Sequence, residues 1–342
     1  MSENNRYSFL DSTRGLAAFI VLLAHTIKTF APKFFNSLFS FIWDSQAAVL
    51  YFFILSGFVL TVSIKSTDLL LKTYTSFAAR RILRIYPAFI IVLLLAFCFY
   101  PFFNYPVNSW LNEYWQNNFS IPKMFKQVIL IFRIPNEPAE RILPHDWTLS
   151  IEIMISLLLP FLVWIAKKKS WLIIILVFLM VKILPIDSFI FDFTLGIFIA
   201  IRKEFLIGAW KKIGYLGHVI GLLLALFLLQ IDRILPAFSL VTEQFLVHSK
   251  SWGLSIMLIA IISSSRLQNL LDNKFLIFQG KISYSLYLIH LILIGILYKF
   301  LPDLNVVPAL LFIYSTSLLL SAFLYKTVEK PMIQIGKNGF WV

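Results

Sequence analysis

The sequence has almost no cysteine and lacks the short motifs that mark common metal and nucleotide sites. Its only cysteine is Cys98, which excludes an internal disulfide and a metal site built from several cysteines. The five histidines are scattered and neither HExxH nor CxxC occurs, so the sequence predicts no metal. GxGxxG and GxxxxGKS/T are also absent, which argues against a nucleotide-binding fold.

Charged residues are scarce, and acidic ones are the scarcer. They make up 14% of the chain, with 30 Lys and Arg against 17 Asp and Glu, which gives a formal net charge of +13. This charge does not by itself indicate a nucleic-acid partner, because Lys and Arg also collect in the cytoplasmic loops of membrane proteins. What the chain has instead is apolar sequence. It is 59% hydrophobic, in long runs, which predicts an all-α polytopic membrane protein.

We predict one domain, residues 1–342, with about ten membrane-spanning helices, each of about 20 mostly apolar residues. These helices lie near 13–31, 42–64, 84–103, 147–166, 170–185, 189–201, 216–231, 251–263, 283–300 and 308–325. The basic clusters all fall on one side of this arrangement, which is therefore predicted to be cytoplasmic together with both termini. Segment 104–146 then faces outward, and residues 123–133 are predicted to form an interfacial amphipathic helix.

The first span carries two ionisable residues, Arg14 and His25, with only small and apolar residues between them. Ionisable residues within a membrane are costly and are functional candidates by default. The two are eleven positions apart, so they share a helix face at a separation of about 16 Å along the axis. They are suited to lining one polar channel. The alternative is structural: Arg14 extends to the interface, and His25 hydrogen-bonds to a neighbouring helix.

Glu152, in "HDWTLSIE", is a second ionisable residue within a predicted span. The topology places it at a depth near that of His25, and a carboxylate beside an imidazole supports general-base chemistry. A structural hydrogen bond between helices is the alternative. His290, in "SYSLYLIH", fits either a packed polar residue or a pore group, whereas His145 is expected to be solvated at the outer mouth.

The stretch "RRILRIYP" places Arg81 and Arg84 on one face, at the predicted cytoplasmic start of a helix. Guanidinium groups match phosphate oxygens, so this pair is a candidate site for a phosphate-bearing cytosolic ligand. The alternative is that these arginines only fix the orientation of the span.

Taken in order, several motifs resemble the acyltransferase-3 family of integral membrane acyltransferases. The matching stretches cover nearly all the chain: "LDSTRGLAAFIVLLAH", "YFFILSGFVL", "RRILRIYP", "WTLSIEIMISLLLP", "FDFTLGIFIA", "ISYSLYLIH" and "YKTVEKP". One departure is Leu50, which stands where many members have an aspartate before the double phenylalanine. Some members carry an esterase-like domain after the membrane part, whereas this chain ends soon after "VEKP", so the membrane domain is expected to act alone.

The resemblance implies a role for each matching residue. His25 corresponds to the family's catalytic histidine and Arg14 to its partner in the same motif, while Glu152 corresponds to the glutamate of the tryptophan-containing motif. Arg81 and Arg84 correspond to an arginine pair implicated in holding acyl-CoA. We therefore expect His25, Arg14 and Glu152 to be catalytic, and Arg81, Arg84 and Arg14 to bind the donor.

The function expected from these observations is O-acetyl transfer. Acetyl-CoA is the expected co-substrate, and the expected acceptor is a hydroxyl of an exported glycan such as O-antigen or capsule. Membrane lipids are expected to surround the protein, and no nucleic-acid partner is expected. The acetyl group is expected to move directly or through an acetyl-enzyme intermediate. The expected location is the bacterial inner membrane. The main alternative is a transporter or flippase of a lipid-linked sugar, which broken helices in paired halves would favour.

Overall fold

All the regular structure is helical in the part of the chain that the computed structural model describes, which is residues 7–64, 71–103, 110–111, 115, 121–129, 141–183, 189–234 and 243–339. Long apolar runs explain this outcome. A backbone inside the hydrocarbon layer must satisfy its own hydrogen bonds, and a helix does so within one segment. The chain is an all-α multi-pass membrane protein.

The helices follow the predicted apolar segments, and each of those segments overlaps a helix. In chain order they are α1 (Ser8–Phe30), α2 (Pro32–Phe35), α3 (Ser45–Ser63), α4 (Leu71–Phe103), α5 (Ile121–Val128), α6 (Asp146–Lys168), α7 (Leu172–Ile183), α8 (Ile190–Ile201), α9 (Lys203–Lys212), α10 (Gly214–Ile234), α11 (Glu243–Ser263), α12 (Ser265–Leu271), α13 (Lys274–Lys281), α14 (Ser283–Phe300), α15 (Val306–Leu324) and α16 (Lys330–Asn338). A 3-10 turn, Leu38–Trp43, precedes α3, and a π-helical turn, Tyr325–Glu329, joins α15 to α16.

Seven helical stretches among the described residues are long and apolar enough to cross a membrane. They are Ser8–Phe30, Phe39–Ser63, Thr73–Phe99, Asp146–Lys168, Gly214–Arg233, Ser283–Phe300 and Val306–Asn338. The number becomes eight if α11 and α12, which bend by 94° where they meet, form one broken span. Helix α8 is apolar but shorter. The ten-span count and the cytoplasmic position of both termini stay predictions.

Two helices begin well before the predicted segments. Helix α4 starts at Leu71 rather than at 84, and α11 starts at Glu243 rather than at 251. Hydropathy marks where an apolar run ends, but a helix continues through polar residues as long as its backbone hydrogen bonds do. Arg81 therefore lies inside α4 and not at a helix start. Helix α5 covers part of the predicted amphipathic segment, and positions 130–133 lie outside the described residues.

The chain divides into two units, and the first comprises Met1–Ala17, Gln46–Leu70 and Leu157–Ile277. Helices α3 and α8 touch there through glycines. A Cβ added at Gly57 would overlap the backbone carbonyl of Phe193, and one added at Gly196 would overlap that of Ile54. The close approach agrees with the packing role expected for small residues in membrane helices.

The second unit comprises Ala18–Ser45, Leu71–Ser156 and Phe278–Val342. Helix α14 packs against α4 and α15, and α16 packs against α4. Polar groups join these helices: the Tyr284 hydroxyl donates to the Ile85 carbonyl at 2.7 Å, and the Ser285 hydroxyl donates to Glu329 at 2.9 Å. The end of α1, from Ala18 onward, also belongs to this unit. The single domain over residues 1–342 stays a prediction.

Candidate active site

His25 on α1 is hydrogen-bonded to His290 on α14. Its Nδ1 lies 2.9 Å from Nε2 of His290. The ring planes are parallel to within 4° and the ring centroids are 5.1 Å apart. This separation is close to the hydrogen-bond distance plus one ring radius on each side, so the two imidazoles meet through their edges. His290 is completely buried, whereas His25 keeps partial exposure.

Trp110 packs beside the His25 ring, with ring centroids 5.3 Å apart at an angle of 31°. The indole is held from two sides. Its Nε1 donates to the Thr29 hydroxyl at 3.0 Å, and the Lys28 ammonium lies 4.4 Å from its ring centroid. A cation at that distance over an indole is attracted by the ring quadrupole. Trp110 therefore packs against the His25 ring, in addition to the contact that His25 makes with His290.

His145, which precedes α6, is a third histidine at this place. Its ring centroid lies 5.2 Å from that of His290 and 4.9 Å from that of Tyr287. The side chain is buried, and neither ring nitrogen has a hydrogen-bond partner of acceptable geometry among the described residues. Burial lowers the pKa of His145 well below its usual range, and His290 and His25 lower it further, so the ring is neutral at pH 7. The expectation that His145 is solvated was wrong.

Tyr287 links α14 to α6. Its hydroxyl lies 2.9 Å from the Thr148 hydroxyl, and both side chains are buried. Thr148 is one helical turn before Glu152, so the two share a face of α6. Thr148, which contacts Tyr287 beside the histidines, and Glu152 therefore lie on successive turns of α6.

Glu152 is paired with Arg81 and not with His25. A terminal nitrogen of Arg81 donates to the Glu152 carboxylate at 2.8 Å and to the Ser156 hydroxyl at 3.0 Å. The Arg81 side chain is 9% exposed and that of Glu152 is 24% exposed. The expected support of His25 by Glu152 is therefore corrected, because the hydrogen-bond partner of His25 is His290. Depth alone suggested the contact, but the carboxylate points toward α4.

The two arginines predicted to bind the donor differ in their surroundings. Arg81 is buried in its ion pair, whereas Arg84, three positions later, is half-buried. Their neighbour Arg80 is exposed and donates to the Ser76 hydroxyl at 2.6 Å. Of the predicted pair, Arg84 is thus the side chain with more access to solvent.

Arg14 belongs to the first unit. It is paired with Asp11 one turn earlier on α1, with a separation of 3.5 Å. Arg14 and His25 are both residues of helix α1. Leu50, the residue that departs from the family pattern, is fully buried in this unit.

Three histidines close together raise the question of a metal site. Within the described part of the chain, no group of three His, Cys, Asp or Glu side chains is arranged to hold a metal ion. The cluster instead contains a hydrogen bond between two imidazoles, aromatic contacts and a third imidazole that is buried. Such a set is suited to taking up and returning a proton.

Comparison with known proteins decides the class of chemistry. The acyltransferase-3 family model, described as an acyltransferase domain, matches residues 7–326. The chain belongs to the acyltransferase-3 family. It is therefore a multi-pass membrane acyltransferase, which favours group transfer over the transporter alternative. No curated protein and no solved structure matches the chain.

The sequence alone does not predict the full set of residues at this candidate site. It leaves two explanations open for His290, and it does not single out Tyr287. The signal lies in "ISYSLYLIH", where polar or aromatic residues recur at positions 284, 287 and 290 of an otherwise apolar span. Polar side chains repeated every third position of a membrane helix predict contacts with neighbouring helices.

Proposed function

We propose that this acyltransferase moves an acetyl group from cytosolic acetyl-CoA to a hydroxyl of an exported glycan, with His25 as general base. The observation that carries the proposal is a partly buried imidazole inside a membrane-spanning helix, held by a hydrogen bond to a second imidazole at one nitrogen. A general base needs a free nitrogen within reach of the acceptor hydroxyl and a second nitrogen that fixes its orientation. The bond from Nδ1 of His25 to His290 supplies the orienting contact, which supports the assignment of Nε2 as the base.

Donor binding is assigned to the arginines of α4. A phosphate group of acetyl-CoA is a strong acceptor, and Arg84 is accessible enough to donate to it. Arg81 adds positive charge one turn away and is held in place by Glu152 and Ser156. In this proposal Glu152 is a positioning residue for Arg81, and Arg14 guides the donor on the same helix that carries His25.

The acceptor is proposed to be a surface glycan, such as O-antigen or capsule, reached from the outer side of a bacterial inner membrane. The distribution of basic residues and the outward position predicted for 104–146 support this orientation. Trp110, in that segment, lies against His25, as expected if the acceptor enters from the same side.

The test is acetyl transfer by purified protein in sealed vesicles. Release of CoA is measured with a thiol reagent, and the glycan products are measured by mass spectrometry. We expect His25→Ala to fold normally and to lose at least about 10²-fold in turnover, since general-base help contributes about 10²–10⁴-fold. His218→Ala is the matched control, because His218 lies in the first unit and its Nε2 bonds to the Trp210 carbonyl. Normal turnover by a folded His25→Ala protein would contradict the proposal.

A further inference from the structure

His290 has two hydrogen bonds, one at each ring nitrogen. Its Nδ1 lies 2.7 Å from the backbone carbonyl oxygen of Tyr287, and its Nε2 lies 2.9 Å from Nδ1 of His25. A carbonyl oxygen only accepts, so Nδ1 of His290 carries a hydrogen. The direction of this first bond is therefore fixed by chemistry.

The direction of the second bond follows from the first. His290 is completely buried, and its two partners are a carbonyl and an imidazole, neither of which bears a negative charge. A cation at that place would be buried without compensation, so the neutral ring fits these partners. With its hydrogen on Nδ1, a neutral His290 has a bare Nε2 that accepts. His25 must then donate from Nδ1, and in neutral His25 this leaves Nε2 without a hydrogen.

We propose that His290 is a positioning residue that holds His25 as the Nδ1–H tautomer and so makes Nε2 of His25 the basic nitrogen. The carbonyl of Tyr287 sets the tautomer of His290, and His290 passes that choice on to His25. The parallel rings meet through these two nitrogens, at a distance typical of a hydrogen bond. The tautomer assignment stands by itself, and its catalytic use rests on the proposed function.

In the transfer step, the acceptor hydroxyl gives its proton to Nε2 of His25, and the hydroxyl oxygen forms a bond to the acetyl carbon. The bond between that carbon and sulfur breaks, and the leaving thiolate takes the proton from Nε2, which yields CoA thiol and the acetyl ester. Throughout, His25 keeps its Nδ1 hydrogen and His290 accepts from it. While His25 is protonated this bond is charge-assisted, and such bonds are roughly twice as strong as neutral ones.

The first test reads the tautomer directly and does not depend on activity. The full-length protein, labelled with ¹⁵N-histidine, is studied by solid-state NMR in liposomes at neutral pH. The chain has five histidines, so the His25 signals are assigned by comparison with His25→Ala. We expect a protonated Nδ1 and a bare Nε2 for His25. A protonated Nε2 with a bare Nδ1 would overturn the proposal.

The second test measures kcat and KM for acetyl-CoA in variants at position 290. His290→Leu removes the acceptor, and we expect kcat to fall about tenfold to a hundredfold with KM unchanged, as for a lost charge-assisted hydrogen bond. His290→Gln can present its side-chain oxygen near the position of Nε2, so we expect it to recover much of the lost turnover. Ser317→Ala, another fully buried polar side chain of the same unit, is the matched control and should leave kcat unchanged.

The outcomes separate this inference from the proposed function. Normal turnover by His290→Leu beside an inactive His25→Ala would overturn the positioning role and leave the general base in place. Loss of kcat in both His290→Leu and His290→Gln, with no difference between them, would assign His290 to packing alone. An active His25→Ala would contradict the proposed function, while the NMR result would still decide the tautomer.

Discussion

Breaking the ion pair between Arg81 and Glu152 is predicted to destabilise the second unit, because it leaves a buried charge without its partner. Removing one member of a buried pair costs about 3–5 kcal/mol, whereas replacing both members by apolar residues is often neutral or stabilising. The Glu152 side chain keeps 24% exposure, so water offsets part of the loss. We therefore take the lower end, about 3 kcal/mol, for Glu152→Leu. Ser156 remains as an acceptor for Arg81 in that variant.

A double-mutant cycle measures the interaction itself. The variants are Arg81→Met, Glu152→Leu and their combination, and stability is measured by reversible SDS unfolding in mixed micelles. We expect the double variant to lose much less than the sum of the single losses, with a coupling of about 2–3 kcal/mol. Arg80→Met is the control. Its guanidinium is exposed, so its cost should stay within about 0.5 kcal/mol. Additivity within about 0.5 kcal/mol would refute the reasoning.

The same pairing changes what Glu152→Gln should do to catalysis. If Glu152 served His25, this variant would lower turnover and leave donor binding intact. With Arg81 as its partner, Glu152→Gln is expected to weaken acetyl-CoA binding, since the neutral amide holds the guanidinium less firmly. Calorimetry with acetyl-CoA distinguishes support of His25 from positioning of Arg81. Unchanged affinity for acetyl-CoA would indicate that Glu152 supports His25.

Three further predictions concern the donor, the topology and the first unit. Arg84→Ala should weaken acetyl-CoA binding about tenfold to a hundredfold, measured by calorimetry, and Arg84→Lys should recover only part of it because lysine lacks the bidentate fork. Normal binding would mean that the arginine only sets topology. In a cysteine-free background, a cysteine at Lys168 should be labelled only from the cytoplasm, and one at Asn117, which lies outside the described residues, only from outside. Labelling of both from one side would contradict the ten-span arrangement. Gly57→Ala should lower stability by about 1–3 kcal/mol because its Cβ would strike the backbone of α8, whereas Gly208→Ala, with open space around it, should be neutral or stabilising.

The helices could be predicted from the sequence, but their ends could not. An apolar run long enough to cross a bilayer determines that a helix forms there, and the overlap of every predicted segment with an observed helix reflects this. Hydropathy gives no information once the chain leaves the apolar layer. The residues from Leu71 to Leu83 are mixed in character, yet they continue α4 and place Arg81 where it reaches α6.

The members of the site could be predicted in part, and their pairing could not. His25 was singled out because an ionisable residue in a span needs an explanation. Topology gave Glu152 and His25 a similar depth, but depth does not give direction, since each residue turns the side chain by about 100° around the helix. Which helices are neighbours depends on packing across the unit, and that packing brought His290 to His25 and Arg81 to Glu152.

Helix α6 shows why these two partnerships are separate. His145, Thr148 and Glu152 follow one another on nearby turns, and they contact the His290 ring, the Tyr287 hydroxyl and the Arg81 guanidinium in that order. Glu152 pairs with Arg81 at one end of this series, and the His145 and His290 rings lie toward the other. A general base beside a carboxylate would keep its proton more tightly once it had taken it. Among the described residues the hydrogen-bond partner of His25 is an imidazole and not a carboxylate, so protonated His25 has no ion pair at Nδ1 to hold the charge, and returning the proton to the leaving thiolate is favoured.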